Sequence, residues 1–166
     1  MDKKTIFGVL AGTLLLLVVL VWLGKPQTDR GDTTTNSSSP GALTAQEASF
    51  DFGTISMANG KVRHIFTISN PSASDVDIKN LETSCMCTEA YLVNGTSRKG
   101  PFGMPGMGGM TTLDDVIKAE STAQIEAEYD PAAHGPAGVG AIDRLITLTE
   151  AGGSQLQLEI KANVTP

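Results

Sequence analysis

The two cysteines of the chain, Cys85 and Cys87, are separated only by Met86. In an extended strand, residues two apart point to the same face, with their α-carbons about 6.6 Å apart. A disulfide prefers an α-carbon separation of about 5.5 to 6 Å and fails beyond about 7 Å. A regular strand therefore favours two reduced thiols side by side or a bound metal ion, and a bridge between the two cysteines would need a tight turn.

A methionine-rich stretch follows the cysteine pair. Its sequence, GPFGMPGMGGM, places Met104, Met107 and Met110 three residues apart and is too rich in glycine and proline to be helical. Thiolates and thioethers are soft ligands that suit Cu(I). The pattern is consistent with a Cu(I) site in which Cys85 and Cys87 are thiolate ligands and the three methionines fold over them.

The same residues have simpler interpretations, which we favour over the copper site. Methionine forms adaptable binding surfaces, so Phe102 and the three loop methionines would present a surface to a partner. The cysteines would be small core residues or a strained, reducible bridge outside the cytoplasm. In a straight strand Met86 points away from both thiols, which allows it to pack in the core. A thiol redox role, with the pair cycling between reduced and bridged states, is a further alternative.

The two histidines give little support to catalysis. His64 shares a face with Phe66 in a predicted strand, which favours a packed side chain over a metal ligand. His134 lies in a Gly-rich stretch without phosphate-binding spacing. It is a candidate fourth metal ligand, but nothing in the sequence brings it close to the thiols. Cys85 and Cys87 have no thiol-enzyme signature around them, and their spacing differs from the Cys-x-x-Cys of thioredoxin-like oxidoreductases. We therefore expect a protein that is not an enzyme.

An uncharged apolar run from Ile6 to Leu23 predicts a single transmembrane helix. A cleaved signal peptide is the alternative, but the run ends at Trp22 and Leu23 without a small-x-small cleavage site. Lys3 and Lys4 favour a cytoplasmic N-terminus, because basic residues stay on the cytoplasmic side. This topology predicts a single-pass protein of the cell membrane whose C-terminal domain is extracytoplasmic.

The chain divides into three predicted regions. Residues 1–24 are the cytoplasmic tip and the anchor, and residues 25–47 are a polar, flexible stalk. Residues 48–166 are one folded domain with an inserted Gly/Met-rich loop at 94–112. The formal net charge of −6 argues against nucleic acid as a partner.

Short strands with turn residues between them fill the folded domain. Its clearest alternation places five apolar residues on one face near the C-terminus: Leu156, Leu158, Ile160, Ala162 and Val164. The other candidate strands are Ser49 to Ile55, Val62 to Ile68, Asp75 to Leu81, Thr88 to Val93, Ala123 to Tyr129 and Ala141 to Thr149. About seven strands at this spacing predict an all-β, immunoglobulin-like sandwich of two antiparallel sheets. One short helix is predicted at Thr112 to Lys118.

Four motifs occur in the order of a bacterial domain family of unknown function, which the chain resembles. They are FDFGTI at Phe50 to Ile55, HIFTISNPS at His64 to Ser72, SCMCTEA at Ser84 to Ala90 and AEYDP at Ala127 to Pro131. That family is similar to hydin-like and major-sperm-protein-like immunoglobulin sandwiches, and many of its members are secreted or membrane-anchored. The chain departs from the family in having Met86 where glycine is usual and in its longer connection after Asn94. The resemblance implies a fold and a location, not a reaction.

These patterns predict a membrane-anchored, extracytoplasmic immunoglobulin-like domain. Its predicted role is non-catalytic binding or structural display at the cell envelope. The predicted partners are the membrane, through residues 6–23, and another envelope protein. No cofactor is expected unless Cu(I) binds at the sulfur ligands.

Overall fold

The computed structural model describes residues 41–166. The predicted cytoplasmic tip, the predicted transmembrane segment at residues 6–23 and most of the predicted stalk lie outside the described residues. From residue 41 onward, no helix is both long enough and apolar enough to cross a membrane.

The described residues form two five-stranded sheets around one hydrophobic core. In spatial order, the first sheet contains β1 (Thr44–Ala45), β3 (Val62–Asn70), β8 (Ser121–Tyr129), β5 (Thr88–Asn94) and β6 (Ser97–Phe102). The second contains β2 (Ser49–Ser56), β10 (Gln155–Thr165), β9 (Gly140–Glu150), β4 (Val76–Thr83) and β7 (Thr112–Ile117). Two short 3-10 helices, Met57–Asn59 and Gly135–Gly138, are the only helices among residues 41–166. The predicted all-β sandwich is confirmed.

Alternating side chains build the core as the sequence predicts. On β3, Phe66 and Ile68 are fully buried, and on β10, Leu158, Ile160 and Val164 are at most 1% exposed. Their neighbours along each strand are more exposed because successive side chains point to opposite faces. Burial of this one face fixes the register of both strands, since a shift by one residue would turn the apolar set towards solvent.

The edge of the second sheet differs from the antiparallel prediction. β2 pairs with β10 in parallel, from Ser49 opposite Glu159 to Ser56 opposite Thr165. A parallel pair needs a long connection, and here most of the domain lies between the two strands. The other strand pairs of the described domain are antiparallel.

The sandwich has ten strands rather than about seven, because β1, β6 and β7 escaped the sequence prediction. The predicted helix at Thr112 to Lys118 is wrong, since this stretch forms β7. Its buried residues, Leu113 and Ile117, are four apart, and that spacing places two side chains on one face of either a helix or a strand. In the structure, Ile117 pairs with Val76 on β4, and the hydrogen bonds of this pairing make the segment a strand.

The predicted insert at 94–112 is largely structured. Its first part is β6, which pairs with β5, so the loop itself covers residues 103–111. Pro101 is tolerated because β6 lies at the edge of its sheet, where a missing N–H breaks no further ladder. Gly100 has a φ of +135°, and a Cβ there would lie 2.7 Å from Cδ1 of Tyr91, so this position requires glycine.

Candidate functional site

Cys85 and Cys87 form a disulfide in the turn that joins β4 to β5. Their α-carbons are 5.2 Å apart, which is closer than residues two apart in an extended strand. The Thr88 N–H donates to the Cys85 carbonyl at 3.1 Å and closes the turn. The pair therefore does not lie in a regular strand, and the tight turn that a bridge requires is present.

Contacts other than the disulfide also hold this turn. The buried Thr83 hydroxyl lies 3.0 Å from the Cys85 carbonyl oxygen and 2.9 Å from that of Thr88. On the neighbouring strand β9, the Leu145 N–H donates to Ser84 Oγ at 2.9 Å, and the Ser84 N–H donates to the Leu145 carbonyl at 2.9 Å. The turn is thus attached to the sheet through backbone and hydroxyl groups, independently of the sulfur atoms.

The segment after β8 carries His134 to the disulfide. The Asp130 N–H donates to the Cys87 carbonyl at 2.9 Å, and Asp130 Oδ1 accepts the Ala132 N–H at 2.9 Å. These bonds start a compact stretch in which His134 Nε2 lies 3.2 Å from Cys85 Sγ. His134 is exposed, whereas Cys87 is only 3% exposed, so the histidine covers the bridge from the solvent side.

Arg144 on β9 reaches the other sulfur. Its Nε donates to Cys87 Sγ at 3.3 Å, and its Nη1 donates to the Asp143 carbonyl at 2.8 Å, which fixes the guanidinium. The Cys87 N–H donates to Cys85 Sγ at 3.3 Å. Each sulfur therefore has an N–H donor beside it, and the guanidinium places a positive charge next to Cys87 Sγ.

Charged side chains form one wall of a cavity of about 90 Å³ beside Cys87. Glu128, only 4% exposed, accepts hydrogen bonds from Lys61 Nζ at 2.6 Å and from Arg63 Nε at 2.5 Å. The hydrogen bond from Lys61 lowers the pKa of Glu128 below its ordinary value, and Arg63 lowers it further. The same bond raises the pKa of Lys61. The pair is therefore a fixed ion pair rather than a proton-transfer group.

Four methionines line a groove of about 430 Å³, which we call the methionine groove: Met86, Met104, Met107 and Met110. Met86, Met107 and Met110 are 53%, 56% and 51% exposed, and Met104 is partly buried. Met86 also lines the cavity beside Cys87, so the groove and the disulfide turn share one side chain. Met86 does not use the option of packing in the core, because the turn directs it outward.

Two glycine backbones in contact close the loop that carries three of these methionines. A Cβ on Gly109 would lie 2.8 Å from the Gly103 α-carbon. The Gly103 N–H donates to the Met110 carbonyl at 3.0 Å, and the Met107 N–H donates to the Met104 carbonyl at 3.2 Å. The loop therefore has a defined conformation that needs small residues where it closes.

Two other candidate residues are less accessible than the methionines. Phe102, predicted on the binding surface, is among the residues that line the methionine groove, but it is only 1% exposed because its side chain at the end of β6 packs in the core. His64 is packed, as predicted: its ring stacks on Phe50 at 3.6 Å and meets Phe66 edge-on at 4.7 Å. Its Nε2 lies 2.6 Å from a carboxylate oxygen of Glu47.

The sequence interpretation missed Arg144 and could not place His134. Arg144 lies within the predicted strand Ala141 to Thr149, where nothing distinguishes it from a solvated charge. Only the pairing of β4 with β9 brings it to the turn. His134 is 47 residues beyond Cys87 in the chain, and no local pattern connects them.

Comparison with known sequences yields one family. The family described as "Protein of unknown function (DUF1573)" matches residues 43–102, which include β1 to β6 and both cysteines. This supports the resemblance to a domain family of unknown function. No curated protein matches the chain.

Solved structures show a similar fold at low sequence identity. A protein of unknown function from Porphyromonas gingivalis W83 has a TM-score of 0.54 and 13% identity, over 77% of this chain and 51% of that one. The secreted serine protease VesC from Vibrio cholerae has a TM-score of 0.47 and 13% identity, over 75% of this chain and 24% of that one. The ASH/PapD-like domain of human CEP192 has a TM-score of 0.44 and 10% identity, over 84% of this chain and 98% of that one.

The chain thus spans about half of the Porphyromonas protein and about a quarter of VesC. The similarity to the Porphyromonas protein, at 13% identity, indicates a shared fold alone. The protein is an immunoglobulin-like sandwich domain similar to a family of unknown function.

Proposed function

We propose that this protein is a membrane-anchored, extracytoplasmic binding module that holds an envelope protein through its methionine groove, without catalysis. The observation that carries the proposal is the clustering of Met86, Met104, Met107 and Met110 along one groove, three of them more than half exposed. Flexible, polarisable thioethers adapt to apolar surfaces of differing shape, which suits a binding surface.

The disulfide supports the proposed compartment. Disulfides form and persist outside the cytoplasm, away from the glutathione and thioredoxin that keep cytoplasmic thiols reduced. A bridged Cys85–Cys87 pair therefore agrees with export of the domain behind an anchor at residues 6–23. An exported domain on a polar stalk would present the groove to other proteins of the envelope.

A binding role also agrees with the state of the thiols. Both cysteines of the chain are in the bridge, so neither is a free nucleophile beside His134. Nucleophilic thiol catalysis needs a thiolate next to a base, and the bridged form has none.

Site-specific photo-crosslinking in cells tests the proposal. A photoreactive side chain is placed at Met107 in the groove and, as the matched control, at Ile65, an equally exposed apolar residue on β3. We expect a discrete crosslinked protein from position 107 only. Identical crosslinking patterns at the two positions would contradict a specific surface.

Replacement of the methionines tests whether their apolar character is what binds the partner. In the triple change of Met104, Met107 and Met110 to Leu, apolar volume is kept and the adduct should persist at a reporter placed at Met86. In the matching triple change to Asn, the adduct should be lost while the domain stays folded. An adduct that survives the Asn changes would exclude the groove as the contact surface.

A further inference from the structure

We infer that Cys85, Cys87 and His134 form a Cu(I) site that becomes available when the disulfide is reduced. This inference does not depend on partner binding at the methionine groove. Among the His, Cys, Asp and Glu side chains of residues 41–166, these three form the group whose ligand atoms all lie within 4.8 Å of one another. The sequence suggests the two thiols as ligands and His134 as a candidate further ligand, and the fold brings the histidine to the thiols.

The distances match two ligands of one metal ion. A thiolate lies about 2.3 Å and an imidazole nitrogen about 2.0 Å from a zinc-sized ion, so ligands of one ion are roughly 3 to 4 Å apart. His134 Nε2 and Cys85 Sγ are 3.2 Å apart, within that range. Disulfide sulfurs are about 2 Å apart, too close to bind one ion as separate thiolates. The bridged and metal-bound states therefore exclude each other.

In the envelope, the reductant would be a dithiol, either that of another protein or a small molecule. One of its thiolates attacks the bridge, the Cys85–Cys87 bond breaks, and both cysteines become thiols while the reductant becomes a disulfide. Two electrons and two protons pass to the cysteines. Cu(I) then replaces the two thiol protons, which go to solvent, and the copper keeps its oxidation state.

Ligand type and charge favour Cu(I) over Zn²⁺. Two thiolates and one imidazole are a soft, three-ligand set, whereas a structural zinc site needs four ligands. Two thiolates with Cu(I) carry a net charge of −1, and the Arg144 guanidinium beside Cys87 Sγ compensates this charge. The same thiolates with Zn²⁺ would be neutral, so the site would carry no negative charge for the guanidinium to compensate.

The turn is built to survive opening of the bridge. Its hydrogen bonds to Thr83 and to Leu145 involve backbone and hydroxyl groups rather than sulfur. The Cys87 N–H and the Arg144 Nε each donate to one sulfur, and thiolates of metal sites accept such bonds. The reduced sulfurs therefore stay next to His134.

The test uses the full-length chain in detergent micelles under anaerobic conditions. One sample keeps the bridge, and a second is reduced with a phosphine that is then removed. Each sample is titrated with Cu(I) in competition with a chromophoric Cu(I) chelator. We expect one Cu(I) per reduced chain, with an affinity at least tenfold above that of the bridged chain. X-ray absorption should show two sulfur ligands and one nitrogen ligand.

Variants assign the ligands. His134→Ala, a change at an exposed residue, should lose the nitrogen ligand and at least tenfold in affinity. Met107→Leu, the matched control in the methionine groove, should leave stoichiometry and affinity unchanged. The inference is overturned if the bridged chain binds Cu(I) as tightly as the reduced chain, or if one equivalent of Zn²⁺ displaces the copper. It is also overturned if His134→Ala changes neither the affinity nor the absorption spectrum, or if Met107→Leu abolishes Cu(I) binding.

Discussion

Reduction of the Cys85–Cys87 bridge should weaken the domain only slightly and leave it folded. The two cysteines are two positions apart, so the bridge closes a loop of only three residues. In the chain-entropy description, such a loop restricts the unfolded chain by about 5.4 cal/mol/K, or about 1.6 kcal/mol at 25 °C. A disulfide that closes a loop of 100 residues would contribute about 4.7 kcal/mol. The small value follows from the spacing, and the turn keeps its hydrogen bonds to Ser84 and Asp130.

The assay is urea unfolding of the full-length chain, followed by circular dichroism with and without a phosphine reductant. With a urea slope of about 1 to 3 kcal/mol/M, the unfolding midpoint should fall by about 0.5 to 1.6 M. The double variant Cys85→Ser, Cys87→Ser is the control and should unfold at one urea concentration under both conditions. Loss of the folded state on reduction, or a drop above about 4 kcal/mol, would refute the reasoning, because the bridge would then hold the turn.

Three further predictions concern the described domain. Asn70→Ala should lower the free energy of unfolding by about 2 to 3 kcal/mol, because three carbonyl groups would lose the buried amide that donates to them. Urea unfolding measures this change, and a decrease below about 1 kcal/mol would contradict the prediction. The hydrogen bond from Lys61 lowers the pKa of Glu128, so the ionised carboxylate stabilises the folded domain fully above the ordinary glutamate pKa, and this stability is lost as pH falls through the pKa of the folded state. Glu128→Gln should therefore reduce the difference in unfolding free energy between pH 7 and pH 3. An unchanged difference would contradict the role given to Glu128. Gly109→Ala should destabilise the domain by about 1 to 3 kcal/mol, because the new Cβ would clash with the Gly103 backbone. Gly152→Ala, whose Cβ would meet nothing within 4 Å, should change the stability by no more than about 0.5 kcal/mol. Equal effects of the two changes in thermal unfolding would contradict the close contact.

Much of the fold could be predicted because burial leaves a period-two pattern. β10 and β3 each have one apolar face, and their predicted ranges lie within or close to the observed strands. The sequence analysis did not predict β6 and β7, because edge strands bury fewer side chains and these two contain residues typical of other structures. Pro101 and Gly100 suggest a loop in β6, and the four-residue spacing of Leu113 and Ile117 fits a helix as well as a strand.

The candidate site could be predicted only in part, for a different physical reason. The spacing of Cys85 and Cys87 limits their chemistry, because two residues apart they are bridged in a turn or separate in a strand. The turn that allows the bridge is attached to β9 through Leu145, a long-range contact that leaves no local pattern. Arg144 reaches the sulfurs through sheet pairing and His134 through the segment after β8, so a single sequence cannot assign them.

The most direct test of the account is the thiol state of the full-length chain in intact cells. Thiols are trapped at lysis with an alkylating reagent under acid quench, and the mass of the purified protein is measured before and after reduction. The account predicts no adduct before reduction and two adducts after it, as expected for a Cys85–Cys87 bridge formed outside the cytoplasm. Two adducts without any reduction would contradict both the bridge and the proposed compartment.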